Sequence, residues 1–297
     1  MSGDPSIKKQ ILFIINPISG IGKQKGVESL IETRIDKKKY SCKITYTEQA
    51  GHAVVLSKEA SLQGIDIVVA VGGDGTVNEV AQGLVGTETV LGIIPTGSGN
   101  GLSRHLNIPM NIQRALEIIN KGKVLKIDTA NLNEDLFVSV AGVGFDASIA
   151  KKFAKSGERG FLSYFKITAG SYRSYKARKY RLIIDGNELK RKALLISFAN
   201  SNQFGNNTSI DPKASIDDGF IDVCILQRIP FWKTILVAPL LFIKRFDRTP
   251  FIEIIRAREV QVIRKKGKRI HLDGDPKKIT RDFTVKVNPG SLNVLVP

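Results

Sequence analysis

The sequence predicts two domains: an N-terminal doubly wound α/β domain over residues 1–128 and a mainly antiparallel, sandwich-like β domain over residues 129–297. Three observations predict this fold class. The chain has 297 residues, of which 42% are hydrophobic, and this suits two packed domains of ordinary size. Residues 10–95 alternate apolar runs with helix-like segments. After Asp128 that rhythm gives way to short strands separated by turns.

The N-terminal half alternates predicted strands and helices. Apolar runs without polar alternation predict buried strands, and the segments between them carry apolar residues at helical spacing. The predicted strands span 11–15, 43–47, 67–71 and 90–94, and the predicted helices span 25–38, 53–62 and a segment that begins at 76. Strands separated by helices favour a parallel sheet covered on both faces.

The C-terminal half predicts mostly strands, joined by turns such as Asp185-Gly186-Asn187. Strands are predicted at 136–140, 181–184, 193–198, 220–226 and 260–263, and two helices are predicted at 161–175 and 231–246. Because short strands follow one another with turns between them, an antiparallel arrangement is expected.

The strongest local motif is Gly72-Gly73-Asp74-Gly75-Thr76, which lies between a predicted buried strand and a predicted helix. Ligands of open α/β sheets bind at the carboxyl ends of strands, where glycines let backbone N–H groups approach phosphate oxygens at a helix N-terminus. The motif therefore predicts a nucleotide phosphate site. The alternative is a tight turn in which Asp74 is the N-cap of the helix.

A second glycine-rich segment, Pro95-Thr96-Gly97-Ser98-Gly99-Asn100, follows the next predicted strand. Both loops should emerge at the same edge of a parallel sheet, where two neighbouring loops can hold one triphosphate. Neither loop has the P-loop pattern or the Rossmann glycine pattern, which disfavours dinucleotide oxidoreductase chemistry.

The excess of basic residues lies in the C-terminal half. The formal net charge is +17, and residues 1–128 hold 15 basic and 12 acidic side chains against 30 and 16 in residues 129–297. Such charge favours anionic partners. The basic residues gather in 151–192 and 228–281, without a helix-turn-helix, an RNA-recognition aromatic motif or a zinc finger, so nucleic acid is not expected as a partner.

The chain is expected to be cytoplasmic. Its first ten residues carry no signal-peptide pattern, and Cys42 and Cys224 are too few for a disulfide framework. The longest apolar run, 235–243, is too short to span a bilayer and contains Pro239.

Several ordered motifs together resemble the diacylglycerol kinase and sphingosine kinase superfamily, including its bacterial soluble lipid kinases. They are the two glycine-rich loops, followed by Gly144-Phe145-Asp146, Asp217-Asp218-Gly219 and Asp273-Gly274-Asp275. The resemblance covers nearly the whole chain. It implies ATP- and magnesium-dependent phosphorylation of a lipid hydroxyl in a cleft between a nucleotide domain and a β domain.

By position, the resemblance also implies a set of nucleotide contacts. These are Asn16, Ser19, Thr47, Gly72, Gly73, Asp74, Gly75, Thr76, Asn78, Gly97, Ser98 and Asn100. Asn16, Thr47 and Ser98 have an alternative interpretation as turn or cap residues. The segment Asn100-Gly101-Leu102 is similar to the sphingosine and ceramide kinase version of the motif and favours a long-chain base as the acceptor.

Three carboxylates are candidates for the proton acceptor in phosphoryl transfer. Asp273-Gly274-Asp275 matches the superfamily's D-G-E motif, whose final acid is taken as the base, and here that acid is Asp275. Because Asp is one methylene shorter than Glu, Asp273 or Asp74 stays open for the role. The alternative is a structural Asp-Gly turn. The neighbouring His271 is expected to point elsewhere.

Two further sites follow from the resemblance. Asp146 corresponds to an acid near the lipid headgroup and is a substrate-contact candidate. Asp218, with the carbonyl groups of Ser215 and Phe220, corresponds to the ligands of a structural Mg²⁺, for which oxygen donors are suitable. The alternative for this second segment is a charged hairpin turn.

The expected partner is a lipid substrate at an anionic membrane surface, reached by peripheral association, and a homodimer stays open. The helix-like segment 231–246, apolar in the middle and basic at its ends, is the candidate for lipid contact. The alternative for that segment is a core helix beside solvated lysines. Two other functions stay open: a kinase of a soluble substrate of the NAD kinase type, and a catalytically degenerate relative that binds lipid or nucleotide.

Overall fold

A computed structural model describes residues 8–19, 26–157, 161–203, 208–264, 269–279 and 282–297. The chain divides into unit 1, which comprises Met1–Ile127 and Gly290–Pro297, and unit 2, which comprises Asp128–Pro289. The predicted boundary at 128/129 lies one residue from this division. The prediction did not place the last eight residues in unit 1. The N-terminal residues 1–7 and the basic run 265–268 lie outside the described residues.

Unit 1 contains a parallel sheet with helices, as predicted. Its elements are β1 (Lys9–Ile15), α1 (Val27–Arg34), β2 (Tyr40–Tyr46), α2 (His52–Leu62), β3 (Ile67–Gly72), α3 (Asp74–Leu84), β4 (Val90–Pro95), α4 (Gly101–His105) and α5 (Ile112–Lys121). The strand order is β2-β1-β3-β4. All residues of β3 are buried because this strand lies between two others and is covered on both faces. The helix α5 was not predicted, and α4 was considered only as the helix that Ser98 would cap; its N-cap is Asn100.

Unit 2 is a mainly antiparallel β structure, as predicted. Its elements are β5 (Val124–Leu132), β6 (Asp135–Phe137), β7 (Val140–Gly144), α6 (Phe145–Ser156), α7 (Phe161–Tyr172), β8 (Arg178–Ile184), β9 (Asn187–Ala193), β10 (Leu195–Ala199), β11 (Ile221–Leu226), α8 (Phe231–Val237), β12 (Ile252–Ala257), β13 (Glu259–Ile263), β14 (Arg269–Leu272), β15 (Asp275–Lys278) and β16 (Phe283–Leu295). One sheet has the order β12-β11-β10-β7-β14-β15. The strands β9, β8, β13 and the first part of β16 pair in a second sheet.

The core of unit 2 lies between its two sheets. Ile196 and Val223 from the first sheet and Leu182, Val260 and Val285 from the second belong to one buried apolar cluster. Side chains from two facing sheets that share a core define a sandwich. The predicted fold class is confirmed for both units.

Two predicted strands of unit 2 are each two strands in the structure. The predicted strand 136–140 is split between β6 and β7, because the N–H groups of residues 138–140 donate to the Asp273 carboxylate rather than to a neighbouring strand. The predicted strand 193–198 changes sheets at Leu194, where β9 ends and β10 begins. The predicted turn after Ile184 is confirmed, since Ile184 pairs with Asn187 across a two-residue hairpin.

The predicted helix 231–246 is shorter than expected. The α-helix α8 ends at Val237, and a 3₁₀ turn, Ala238–Leu241, follows it. Pro239 has no N–H group to donate to the preceding turn, so the α-helix cannot continue through it. The predicted helix 161–175 ends at Tyr172. No helix of the described ranges combines the length and the apolar character needed to cross a bilayer.

Candidate functional site

Two glycine-rich loops of unit 1 touch each other where β3 and β4 end. The N–H of Thr96 donates to the carbonyl of Gly72 at 2.9 Å, which continues the β3–β4 ladder to the ends of both strands. A Cβ atom on Gly97 would lie 2.6 Å from the Cα of Gly73, closer than real contacts allow. Glycine is therefore needed for this contact, and the expectation that both loops share one edge is confirmed.

Asp74 links the first loop to the second. Its Oδ2 accepts a hydrogen bond from the N–H of Asn100 at 2.8 Å, and its Oδ1 accepts one from the N–H of Gly101 at 2.6 Å. These two amides open α4, so the carboxylate satisfies donors at that helix start. The N-cap of α3 is Gly73, with Asp74 as its first residue. The alternative interpretation of Asp74 as the N-cap of α3 is wrong.

The ends of β1 and β2 bring three more of the expected nucleotide contacts to this edge. The side-chain amide of Asn16 donates to Oγ1 of Thr76 at 3.0 Å, and Oγ of Ser19 lies 2.8 Å from Oγ1 of Thr96. Thr47 is buried, and its N–H donates to the carbonyl of Ile15 at 2.9 Å. Because β1, β2 and β3 run parallel, these side chains and the two loops lie at the carboxyl ends of the strands.

The remaining expected contacts differ in exposure. Gly75 and Ser98 are exposed, and the half-buried Asn78 accepts a hydrogen bond from Gln82 at 2.6 Å. Asn100 is buried and donates to the carbonyl of Gly97 at 2.7 Å, while its Oδ1 has no partner among the described residues. A buried acceptor of this kind is satisfied in most proteins by water or a ligand.

Two residues of this edge were not found from the sequence. The Glu79 carboxylate accepts hydrogen bonds from the N–H groups of Gly51 and Ala53 at 2.9 and 3.3 Å, and Arg104 donates to the carbonyl of Gly99 at 2.9 Å. The sequence contained one indication that a side chain such as Glu79 would be needed here. The helix α2 begins after Gly51, which has no capping side chain, so its first N–H groups need an acceptor from another segment.

The edge has the donors and the space that a polyphosphate needs. Glycine backbone without side chains, hydroxyl groups and the N-terminus of the eleven-residue helix α3 meet there. The positive end of a helix and exposed amides favour an anion. The arrangement fits a nucleotide phosphate chain.

In unit 2, Asp273 and Gly274 form the turn of the β14–β15 hairpin. Leu272 pairs with Asp275, and the turn residues have φ values of +47° and +95°, as a two-residue turn requires. The Asp273 carboxylate accepts hydrogen bonds from three consecutive backbone N–H groups at 2.8–2.9 Å. Asp275, the first residue of β15, is exposed. The turn interpretation therefore describes Asp273, whereas the Asp275 side chain is accessible.

Positive charge lies beside this hairpin. Arg269 and Lys278 pair directly across β14 and β15, although like charges in that position are unfavourable. The pKa of Lys151 on α6 is lowered, and the largest cause is the Arg269 cation. Burial and the cations of Lys155 and Lys278 act in the same direction. These cations make the side of the hairpin that faces α6 positively charged.

Asp146 is buried and pairs with His271. Its Oδ2 lies 3.1 Å from Nε2 of His271, and Nδ1 of the same ring has no partner among the described residues. The strand β7 passes beside the pair at Gly142, where a Cβ atom would lie 2.1 Å from Oδ2 of Asp146. The expectation that His271 points elsewhere holds relative to Asp273, but the ring reaches Asp146 instead. Burial, with the nearby Asp146 carboxylate, raises the pKa of Tyr164.

The expected magnesium ligands form a charged loop. The Asp218 carboxylate pairs with Arg256 and accepts a hydrogen bond from the N–H of Phe220 at 3.1 Å, while Ser215 donates to Asp217 at 2.6 Å. Asp218 thus supplies one carboxylate that already has a cationic partner. Within the described ranges, no group of three or more His, Cys, Asp or Glu side chains is arranged to hold a metal ion.

Two buried carboxylates beside this loop were not found from the sequence. Asp222 lies 3.9 Å from Arg256, and its neighbour Asp211 is also buried. Burial, followed by the Asp211 carboxylate, raises the pKa of Asp222 to about 7. Ser215, Asp218 and Phe220 as magnesium ligands stay a prediction.

Family models match both halves of the chain. Residues 10–132 match the diacylglycerol kinase catalytic domain, and residues 139–296 match the YegS C-terminal NAD kinase beta sandwich-like domain. The chain belongs to the diacylglycerol kinase superfamily. Its two glycine loops, and every expected nucleotide contact, lie within the catalytic-domain match.

Named relatives agree with membership of the diacylglycerol kinase superfamily. Diacylglycerol kinases of Staphylococcus aureus, such as those of strains JH9 and Newman, are 29% identical over 228 residues, which cover 75% of this chain and 72% of the relative. A crystal structure of a diacylglycerol kinase from Bacillus anthracis str. Sterne has a TM-score of 0.74 at 21% identity and covers 97% of both chains. That structural likeness supports the fold. Superfamily membership and the named relatives identify the chain as a kinase.

Proposed function

We propose that the chain is an ATP- and magnesium-dependent lipid kinase that transfers the γ-phosphate of ATP to a lipid hydroxyl. The observation that carries the proposal is the contact between the two glycine loops within the segment that matches a diacylglycerol kinase catalytic domain. Phosphoryl transfer depends mainly on positioned phosphates and neutralised charge rather than on covalent catalysis. A divalent ion bound with ATP would supply part of that neutralisation.

Each part of the site has a role in this proposal. The loops and the start of α3 hold the phosphate chain, and Asp74 holds the second loop against the first through the amides of Asn100 and Gly101. Asp275 accepts the proton of the attacking hydroxyl. Both Asp273 oxygens already accept backbone N–H bonds, whereas Asp275 is exposed, and this favours Asp275 over Asp273 as the base.

The acceptor is diacylglycerol or a sphingoid long-chain base. The names of the relatives favour the first, whereas Asn100-Gly101-Leu102 favours the second. A soluble substrate is the second candidate, because the C-terminal model is described as NAD kinase-like. A degenerate binding protein is the third, since Asp275 replaces the Glu of the motif.

Transfer from γ-labelled ATP to a panel of lipids and to NAD tests the proposal. We expect label in an organic extract; label only in water-soluble product would support the second candidate, and no transfer would support the third.

Asp275→Asn should abolish transfer and leave ATP affinity within about twofold, because the base is lost while the loops are intact. Exposed Asp217→Asn is the matched control. A near-native rate for Asp275→Asn would remove Asp275 from the role.

A further inference from the structure

Exposed apolar side chains concentrate in one short segment of unit 2. Six of the twelve large apolar side chains that are exposed in the described ranges lie between 231 and 243: Phe231, Trp232, Ile235, Leu236, Phe242 and Ile243. Single exposed apolar residues are ordinary on protein surfaces, but a contiguous group indicates an interaction site. We call these six residues the apolar face.

The apolar face lies opposite a buried face of the same segment. Val237 and Phe246 are buried in an apolar cluster of unit 2, and Leu240 and Leu241 pack against it. A surface helix normally carries polar residues on its outer face. Here Trp232, Ile235 and Leu236, at helical spacing i, i+3 and i+4, are 67–74% exposed. Anchoring in the core therefore does not account for the outer apolar residues.

Neighbouring elements hold the segment in place. The hydroxyl of Tyr172 on α7 donates to the carbonyl of Ile229 at 2.6 Å, and the Arg173 guanidinium lies 4.9 Å from the centre of the Phe231 ring. The N–H of Ser209 donates to the carbonyl of Leu241 at 2.9 Å. These contacts keep the apolar face in one arrangement.

The charge around the apolar face has one sign. Between Asp222 and Asp247 the chain contains Arg228, Lys233, Lys244 and Arg245 and no acidic residue. Arg228, Lys244 and Arg245 are exposed, and the ammonium group of Lys233 lies 4.9 Å from the centre of the Trp232 ring. An indole bordered by cations is typical of side chains that insert at the boundary between lipid headgroups and acyl chains.

We propose that the apolar face docks on an anionic phospholipid bilayer, with its six side chains at the acyl boundary and the four cations against headgroup phosphates. A second copy of the chain is a poorer occupant, because a self-contact would bring these cations against one another without acidic partners from the segment. This docking goes beyond the proposed transfer reaction because it needs neither nucleotide nor turnover.

The single tryptophan of the chain provides the test, since Trp232 alone reports on the apolar face. Vesicles of equal parts phosphatidylglycerol and phosphatidylcholine, without ATP, should shift Trp232 emission to shorter wavelength. Brominated acyl chains should quench it. Phosphatidylcholine alone, or NaCl at about 1 M where the Debye length is about 3 Å, should abolish both effects. If anionic vesicles do not change the Trp232 emission of the wild-type protein, the proposal is wrong.

Paired variants identify the residues responsible. Ile235→Ser with Leu236→Ser, and separately Lys244→Gln with Arg245→Gln, should each lower vesicle affinity by about tenfold or more. The matched controls are Val55→Ser with Leu62→Ser, which removes exposed apolar residues of unit 1, and Lys37→Gln with Lys38→Gln. Thermal unfolding midpoints should equal the wild-type value for each variant that enters the comparison.

Two results would contradict the assignment. One is vesicle affinity unchanged in both test pairs. The other is a wild-type dimer in sedimentation equilibrium that Ile235→Ser with Leu236→Ser converts to a monomer, with vesicle binding intact, since this assigns the face to a second copy. Because vesicle binding is measured without ATP, its failure is distinct from a failure of phosphoryl transfer.

Discussion

The fold opposes a negative charge at Asp222. Burial and the neighbouring Asp211 carboxylate raise its pKa to about 7, and Arg256 only partly offsets them. The folded protein therefore retains a proton on Asp222 that the unfolded chain, with an ordinary pKa of about 3.9, releases. The contribution of Asp222 to the free energy of unfolding therefore falls as pH rises from about 4 to about 7, and it is constant above that range.

Asp222→Asn removes this penalty. At pH 8 we expect the variant to be more stable than wild type by about 1–2 kcal/mol, a figure reduced for solvent screening, and the advantage should shrink toward pH 5. Denaturant unfolding at both pH values measures the difference. Exposed Asp217→Asn, from the same part of the chain, is the control. Lower stability of Asp222→Asn at pH 8 would contradict the cause given for the pKa.

The contacts between side chains of the candidate site could not be predicted from the sequence. The motif placed Asp74 at the strand edge, but its partners lie 26 and 27 residues further along the chain, where α4 begins. Alternation alone would place His271 and Asp273 on the same face of a strand; they differ in direction because Asp273 lies in the turn, at a φ of +47°. Alternation could not tell that α6 brings Asp146 to His271, because that depends on which element covers the strand.

At the scale of elements, the contact between the two glycine loops predicts that a methyl group added at Gly97 lowers both nucleotide affinity and stability. Gly97→Ala places a Cβ atom 2.6 Å from the Cα of Gly73, which is backbone and cannot turn away. The loops must separate, so we expect nucleotide affinity to fall at least about tenfold and stability to fall by about 1–3 kcal/mol. Calorimetric titration with ATP and thermal unfolding measure both.

Gly170→Ala is the matched control for Gly97→Ala. Gly170 lies in α7 with open space where a Cβ would be, so alanine there should raise stability by up to about 1 kcal/mol and leave nucleotide affinity unchanged. Equal behaviour of the two variants would mean that the close approach of Gly73 and Gly97 does not limit the site.

Hydrophobic pattern predicted elements well where burial and period agreed. The fully buried β3 and its neighbours match their predicted positions within a few residues. The pattern failed where the chain changes sheets at Leu194, because residues 193–199 are all buried and carry no mark of the change. It also placed a single helix across Pro239, although the missing N–H group predicts a break there.

At the scale of the molecule, the change in strand rhythm predicted a boundary at 128/129, and the contacts divide the chain at 127/128. The rhythm could not show that the end of β16 belongs to unit 1. Val294 pairs with Leu91 of β4, and Leu292, Val294 and Leu295 are buried, yet an apolar strand fits either unit equally well from its sequence alone.

Removal of residues 290–297 should therefore destabilise unit 1 and spare unit 2. Loss of three buried side chains and of the pairing with β4 costs more than about 5 kcal/mol, which is comparable with the stability of a whole domain. Hydrogen exchange should show rapid exchange in β1, β3 and β4 and retained protection in β10 and β11. Val294→Ala should give a partial form of the same result. Equal loss of protection in both units would contradict this division.

The return of the C-terminal segment to unit 1 also governs the order of folding during synthesis. Residues 128–289 leave the ribosome with every strand of the unit 2 core already present, whereas the parallel sheet waits for Leu292 and Val294. In nascent chains arrested before residue 290, unit 2 should thus resist protease, whereas unit 1 should still be digested.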